Sequence, residues 1–278
     1  MAAPRPLQGI GVIVTRPAHQ AANMQRLLLR DGASVCLFPL LDIIELADAP
    51  LLCQPLLAEQ WVDNQMNRRV SNHQADLIIF TSPNAVTFAA KHTDLSSLKG
   101  LNGMPNIAAV GAKTAECLTA AGLPADISPQ HTFNSEALLA EPQLQSVSGL
   151  RISIIGGVDG RTLLQKTLEA RGANVRKLAL YQRQCTSAST EPLQRFCQQQ
   201  SRLVIMLTSV DSLQCLLALT EFLNIPEHTV LLAGSERIAA ALDKHPEHVL
   251  SCTTVLAANN PDDHSMLDRL SRWSANHD

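Results

Sequence analysis

Two stretches far apart in this chain carry the same turn chemistry position by position, Arg30-Asp31-Gly32-Ala33-Ser34-Val35 and Ala170-Arg171-Gly172-Ala173-Asn174-Val175. Each closes the same local grammar. Ile10 to Thr15 reads as a short apolar strand, Pro17 opens an amphipathic helix, and Gly32 stops it before a second strand from Ser34 to Phe38. Arg151 to Ile155 likewise reads as a strand, Thr162 to Ala170 as a helix, and Gly172 as its stop before a strand from Val175 to Tyr181. Pro17 suits the first helical position, where its missing N–H would have had no partner, and Gly32 suits the left-handed residue that follows a helix. A second unit also recurs. Leu77-Ile78-Ile79-Phe80-Thr81-Ser82 followed by Ala109-Val110-Gly111-Ala112 parallels Val204-Ile205-Met206-Leu207-Thr208-Ser209 followed by Leu232-Ala233-Gly234-Ser235. The chain therefore runs A, B, A′, B′.

Fully apolar strands alternating with helices predict parallel sheets covered on both faces, hence doubly wound α/β lobes. At 278 residues the chain exceeds one core, and roughly 150 residues per domain gives two lobes. Repetition alone leaves the pairing open. A joins B in sequence, or A joins B′ with B and A′ inserted between them. In the second case Phe38-Pro39-Leu40 and Leu180-Tyr181-Gln182-Arg183 are the two crossings. Glu59 to Gln74, crowded with Gln and Asn, reads as a surface insertion, and Ser265 to Trp273 as a closing helix.

A hydrophobic content of 46% with 17% charged residues belongs to a chain that buries cores. A net charge of −3 and 3% aromatic residues offer no basic, ring-bearing surface, so nucleic acid is excluded as a partner and any anionic ligand is held locally. The cysteines, Cys36, Cys53, Cys117, Cys185, Cys197, Cys215 and Cys252, are scattered without a CxxC pair and read as reduced, mostly buried thiols. No apolar run reaches the 18 or so residues of a membrane span and Met1 to Leu7 lacks a signal pattern, so a cytoplasmic protein without membrane contact is expected. The histidines are dispersed too. His245 and His248, around Pro246, do not form a helical metal pair, and no metal or cofactor is expected.

In a parallel sheet the strand C-termini and the following helix N-termini share one edge, where ligands bind. The turns there are Thr15-Arg16-Pro17, Thr81-Ser82-Pro83, Gly111-Ala112-Lys113, Asn134-Ser135-Glu136, Gly156 to Arg161, Thr208-Ser209 and Gly234-Ser235-Glu236-Arg237. Unpaired backbone N–H groups and the positive end of a helix dipole suit carboxylate or phosphate, with hydroxyls as further donors. Ser and Thr are equally the ordinary N-caps, contributing about 1 kcal/mol, so each one alone has a sufficient structural reason. Arg16, Lys113, Arg161 and Arg237 oppose the dipole in first turns, by about 0.3 to 1 kcal/mol each, which stability alone does not ask for. Gly156-Gly157-Val158-Asp159-Gly160-Arg161 lets a ligand approach the backbone but matches neither nucleotide-binding loop, so NAD and ATP are disfavoured. Tyr181 is the only tyrosine and sits at an expected crossing. A phenol there is a hydrogen-bond donor or weak acid toward a ligand, or a packing ring whose hydroxyl finds a partner.

In order and spacing these segments resemble the uroporphyrinogen-III synthase family over nearly the whole chain. The matches are Val14-Thr15-Arg16-Pro17 with Phe38-Pro39-Leu40, Phe80-Thr81-Ser82 with Asn84-Ala85-Val86, and Val110-Gly111-Ala112-Lys113-Thr114-Ala115. Further on come Ser135-Glu136-Ala137-Leu138-Leu139, Gly160-Arg161, Arg171 to Val175, Tyr181-Gln182-Arg183, Thr208-Ser209 and Ser235-Glu236-Arg237. Before Gly160-Arg161 the chain departs from the family pattern, which carries an arginine and a denser glycine run. The resemblance implies the interleaved arrangement: two similar doubly wound parallel-sheet lobes of flavodoxin-like strand order, residues 1–38 with 185–278 as one and 39–184 as the other. Extended crossings near 38–41 and 180–184 would join them, with the site between.

The resemblance also implies a lyase that takes hydroxymethylbilane, a linear tetrapyrrole with eight carboxylates, removes its hydroxyl as water, inverts the last ring and closes uroporphyrinogen III. Tyr181 would assist the leaving hydroxyl. Thr15, Arg16, Thr81, Ser82, Gly111, Lys113, Ser135, Gly157, Gly160, Arg161, Thr208 and Ser209 would hold the substrate. A cofactor-free monomer is implied, in transient contact at most with the preceding pathway enzyme. Two other readings of the turns stand beside it: a two-lobed binding protein for an anionic small molecule, and a nucleotide-dependent transferase weakened by its missing phosphate loops.

Overall fold

The residues of β1 (Gly11–Val14) are all buried, Val12 and Val14 in one apolar cluster and Ile13 in another. A strand covered on both faces requires this, since successive side chains point to opposite sides. The computed structural model describes residues 5–57, 60–63, 68–71, 75–100, 104–160, 162–219, 225–226, 228–242 and 254–276. From β1 the chain passes through α1 (Ala18–Arg30) to β2 (Ser34–Leu37), and β1 pairs in parallel with β2 and with β10 (Leu203–Leu207). Beyond β10 lie β11 (Val230–Ala233) and β12 (Thr254–Ala257), giving the order β12-β11-β10-β1-β2 with every pair parallel. Helix α1 and α10 (Asp263–Ala275) cover one face, through Met24, Leu28, Met266 and Leu270. On the other face, α7 (Glu191–Gln198), α8 (Val210–Leu219) and α9 (Glu236–Leu242) supply Leu193, Leu213 and Ile238.

A second sheet has the order β3-β9-β8-β6-β7. Its strands are β3 (Leu41–Glu45), β6 (Leu77–Phe80), β7 (Asn106–Ala109), β8 (Arg151–Gly157) and β9 (Asn174–Cys185). The run β9-β8-β6-β7 repeats β2-β1-β10-β11 of the first sheet, and an isolated parallel bridge from Ala108 to Ile127 stands where β12 stands there. The open question of pairing is thus answered: A joins B′ and A′ joins B. Helices α2 (Ala49–Leu57), α3 (Pro83–His92) and α4 (Ala112–Ala120) cover one face; α5 (Ser135–Ala140) and α6 (Leu163–Ala170) cover the other.

By contacts the chain divides into one unit formed by residues up to Asp42 and from Gln184 on, and a second from Ile43 to Arg183. Both boundaries fall inside strands, β3 and β9. The glycine stops hold their expected conformation, Gly32 at φ +94° and Gly172 at φ +85°. Pro17 does not. It is the N-cap of α1, at φ −49° and ψ 139°, one residue earlier than its ring geometry suggested. In the Gln- and Asn-rich insertion, β4 (Gln60–Asp63) and β5 (Arg68–Ser71) pair antiparallel. Neither His245 nor His248 lies within the described residues.

The reading of all cysteines as thiols is corrected. Cys185, at the end of β9, is bonded to Cys215 of α8, while Cys36, Cys53, Cys117 and Cys197 are free. A separation of 30 residues without a motif gave no sign that the fold brings this pair together. Cys252 lies outside the described residues.

Candidate functional site

At the C-terminal ends of β6 and β8, the second unit opens into a cavity of about 300 Å³. Its wall draws on the turn before α3 (Thr81, Ser82), the start of α5 (Asn134, Ser135), the end of β8 (Gly156, Gly157) with the turn after it (Asp159, Gly160), and β9 (Lys177, Tyr181, Arg183). Val110, Ile154 and Leu164 supply an apolar portion, and Phe133 and Gln165 complete the lining.

Tyr181 is 3% exposed, and its Oη lies 2.8 Å from Ser82 Oγ. How it comes to be there depends on a register shift. Gly156 pairs with Ala179 but Gly157 pairs with Tyr181, so β9 carries one extra residue, Leu180. Strict alternation would return Tyr181 to the side of Val175. The bulge instead places it in the cluster of Leu178 and Leu180, stacked on Phe88 of α3 with ring centroids 5.6 Å apart. Gly157 makes room for the ring, since a Cβ there would stand 2.8 Å from Tyr181 Cε2. Ser82 is also the N-cap of α3, accepting from Ala85 N–H at 3.1 Å, with Pro83 opening the helix.

The neighbouring turns are fixed in similar ways. Thr81 Oγ1 donates to the Ile155 carbonyl at 3.0 Å, and a Cβ on Gly156 would lie 2.4 Å from that hydroxyl. Lys177 Nζ donates to the carbonyls of Val158 (2.7 Å) and Gly160 (3.4 Å), so this cation pins the loop after β8. Asn134 Oδ1 accepts from Ala137 N–H at 2.8 Å and caps α5. Gly111 is the N-cap of α4, a Cβ there would meet Phe133 Cβ at 3.3 Å, and Lys113 is exposed in the first turn of that helix.

Of the residues singled out from sequence, Thr81, Ser82, Ser135, Gly157, Gly160 and Tyr181 therefore meet around one cavity. Thr15, Arg16, Thr208 and Ser209 belong to the first unit. There Thr15 is 2% exposed and its hydroxyl donates to the Met206 carbonyl at 2.6 Å. Ser209 Oγ accepts from Ser212 N–H at 3.0 Å, the capping role that any such hydroxyl can fill. Arg16 pairs with Asp263 in the first turn of α10 and also donates to the Pro261 carbonyl. Stability does ask for this cation, because it joins two helix starts, contrary to the dipole argument taken alone. Arg237 is exposed on α9, and Arg161 lies outside the described residues.

Sequence reasoning missed Lys177, Arg183 and Phe133. Arg183 follows Tyr181 by two, a strand period that was available to find it. Lys177, four residues before Tyr181, was open to the same count; the bulge that lies between the two has its only trace in the sequence in Gly156-Gly157 of the neighbouring apolar strand. Phe133, in a turn, belongs to no periodic pattern. Among the described residues no group of three His, Cys, Asp or Glu is placed to hold a metal ion, and no helix is long and apolar enough to cross a membrane.

Residues 22–267 match the family described as uroporphyrinogen-III synthase HemD. The uroporphyrinogen-III synthase of Salmonella typhimurium is 31% identical over 272 residues, spanning 94% of this chain and 100% of the relative. That of Escherichia coli is 28% identical over 269 residues with the same shares. Two solved structures share the fold. A mutant uroporphyrinogen III synthase from Thermus thermophilus has a TM-score of 0.56 at 21% identity, over 97% of this chain and 100% of its own. The uroporphyrinogen-III synthetase of Helicobacter pylori has a TM-score of 0.57 at 12% identity, over 95% and 99%.

Proposed function

Because this chain belongs to the uroporphyrinogen-III synthase family, a family of cyclising lyases in tetrapyrrole biosynthesis, we infer that hydroxymethylbilane loses its hydroxyl in the cavity of the second unit, with Tyr181 as the group that meets it. The observation that carries the reading is the 2.8 Å contact between Tyr181 Oη and Ser82 Oγ in the cavity wall. Ala85 N–H already occupies one acceptor site of Ser82 Oγ. With the Ser82 hydrogen turned to Tyr181 Oη, the phenol hydrogen is directed at the substrate. Successive hydrogen bonds of this kind polarise one another and make the last donor stronger.

The C–O bond of the hydroxymethyl group breaks with its electron pair on oxygen, which takes the phenol proton and leaves as water. The lone pair of the adjoining pyrrole nitrogen compensates the carbon. The last ring attacks that carbon through the α-carbon that already carries its methylene bridge; the bridge bond then breaks with its electron pair returning to the last ring, while the neighbouring pyrrole nitrogen compensates the freed methylene carbon. The free α-carbon of the last ring then bonds to that methylene and releases its proton, which the phenolate recovers, so the ring is inverted. Stacking on Phe88 and contact with Gly157 hold the phenol in one orientation through both steps. Eight carboxylates need dispersed donors, and the cavity residues Lys177 and Arg183 together with the starts of α3, α4 and α6 suit them. Thr81, Gly111, Lys113 and Gly160 lie at those same turns, and Ser135 at the start of α5.

The setting we propose is a cytoplasmic monomer, on the ground that the cavity is built from one unit of one chain and that the family's reaction belongs to tetrapyrrole biosynthesis; in that reducing setting the Cys185–Cys215 pair would stand open as two thiols. Incubation with hydroxymethylbilane tests the function. Formation of the inverted, type III macrocycle is the expected result; a protein that bound the bilane and left only the uninverted isomer of spontaneous closure would be a binding protein.

A further inference from the structure

Phe133 stands 53% exposed at the lip of the cavity. A single exposed apolar side chain is ordinary on a protein surface, but this ring borders a pocket whose lining is itself part apolar and part charged, the composition of a ligand site. The backbone that carries it is closely placed, through its Cβ and the residue that follows. On one side Gly111 leaves only the space that Phe133 needs, and on the other Asn134 caps α5. Behind it the cavity offers the apolar Val110, Ile154 and Leu164, while Lys177 and Arg183 bring positive charge and Tyr181 its hydroxyl. The cavity thus joins an apolar surface to cations within about 300 Å³. That volume is at the lower end of the roughly 300–1,000 Å³ typical of pockets for drug-sized ligands. Four rings with eight carboxylates do not fit it; one ring with its two carboxylates does.

Building on the function proposed above, we propose that this cavity is the subsite for a single pyrrole ring of the bilane, the one that bears the hydroxymethyl group, and that Phe133 is the platform on which that ring lies. The ring face meets Phe133, which contributes binding alone, while the two carboxylates meet the Lys177 and Arg183 side of the cavity and so turn the hydroxymethyl carbon toward Tyr181. The other three rings lie outside this cavity. Phe133 acts on binding in the ground state and transition state alike, so its removal raises KM and leaves kcat nearly unchanged.

The test compares steady-state kinetics of wild type, Phe133→Ala, Phe133→Leu and Phe133→Trp on hydroxymethylbilane, with a free pyrrole bearing one acetate and one propionate as competitor. Phe133→Ala is expected to raise KM and the inhibition constant of the monopyrrole together, by roughly tenfold, with kcat within about twofold and an unaltered melting temperature. Phe133→Leu should raise both several-fold, and Phe133→Trp should keep both near wild type. Unchanged KM in Phe133→Ala, or wild-type behaviour of Phe133→Leu, overturns the platform. A monopyrrole that does not compete in wild type overturns the single-ring subsite. If Phe133→Ala fails to fold, Phe133→Leu decides alone. Failure of the wild type to convert the bilane at all would instead sink the proposed function, so the two failures are distinct.

Discussion

Ser82 and Tyr181, 99 residues apart in sequence, meet through a single hydrogen bond of 2.8 Å. Ser82 thereby has two tasks, the cap of α3 and the partner of the phenol. Ser82→Ala is expected to cost about 1 kcal/mol of stability through the cap and, separately, to lower kcat about tenfold with little change in KM. Ser82→Thr should recover most of both. Tyr181→Phe should lower kcat on the order of 10² to 10⁴ while the protein folds and binds as before. A Ser82→Ala enzyme that loses stability but no turnover would reduce Ser82 to a cap.

Gly157 is the second constraint on the phenol. An added Cβ would stand 2.8 Å from Cε2 and 3.0 Å from Cζ of Tyr181. Gly157→Ala must therefore shift the ring, and a displacement near 1 Å at a reacting group costs about 10²-fold. Turnover should fall to that extent while circular dichroism stays native. Full activity would mean that the ring position is not what limits the reaction.

Much of the fold was legible because the repeated turns depend on backbone conformation. Gly32 and Gly172 both need positive φ, and the residues around them follow suit. The cavity was legible in part for a similar reason: ligand-facing turns of a parallel sheet lie at predictable strand ends. What escaped was whatever depends on tertiary pairing. Nothing local in Val12 names Val204 as its neighbour, and nothing in Cys185 names Cys215. The side of β9 to which Tyr181 belongs was set by an extra residue, and alternation counted through a bulge gives the wrong face. Arg16 looked available for a ligand until the fold brought Asp263 to it.

Glu45 pairs with His92 and with Lys91, and these two, His92 first, hold its carboxyl below the usual range. A carboxyl whose folded pKa lies below its unfolded one contributes stability that is present above the unfolded value, near 4.3, and lost as pH falls through the folded value. Urea midpoints should therefore decline from about pH 5 downward. Glu45→Gln should flatten part of that decline. An identical acid slope in the variant would show that the pair contributes nothing measurable.

Burial pushes the thiols of Cys53 and Cys197 up to about 11. At pH 8 both are protonated and should resist iodoacetamide in the native protein, and unfolding should expose them. Peptide mapping without reductant should yield a Cys185–Cys215 cross-linked peptide. Closing a loop of 30 residues corresponds to roughly 3 to 4 kcal/mol in the chain-entropy account, so Cys215→Ser should lower stability by up to about that amount. Alkylation of Cys185 and Cys215 before reduction would remove the bond from consideration.

Thr15 reaches the Met206 carbonyl 191 residues further along the chain. On a ribosome adding about 5 to 20 residues per second, β1 waits roughly 10 to 40 seconds for its inner neighbour β10. Every strand of the second sheet emerges in that interval. The inserted unit can therefore assemble first, while the nascent N-terminal β-α-β element holds an unpaired apolar edge, the kind of surface that templates aggregation. Circular permutation would remove the delay. A chain opened between Arg183 and Gln184, with its present ends linked, would synthesise the first unit without interruption and leave a single covalent connection between the two.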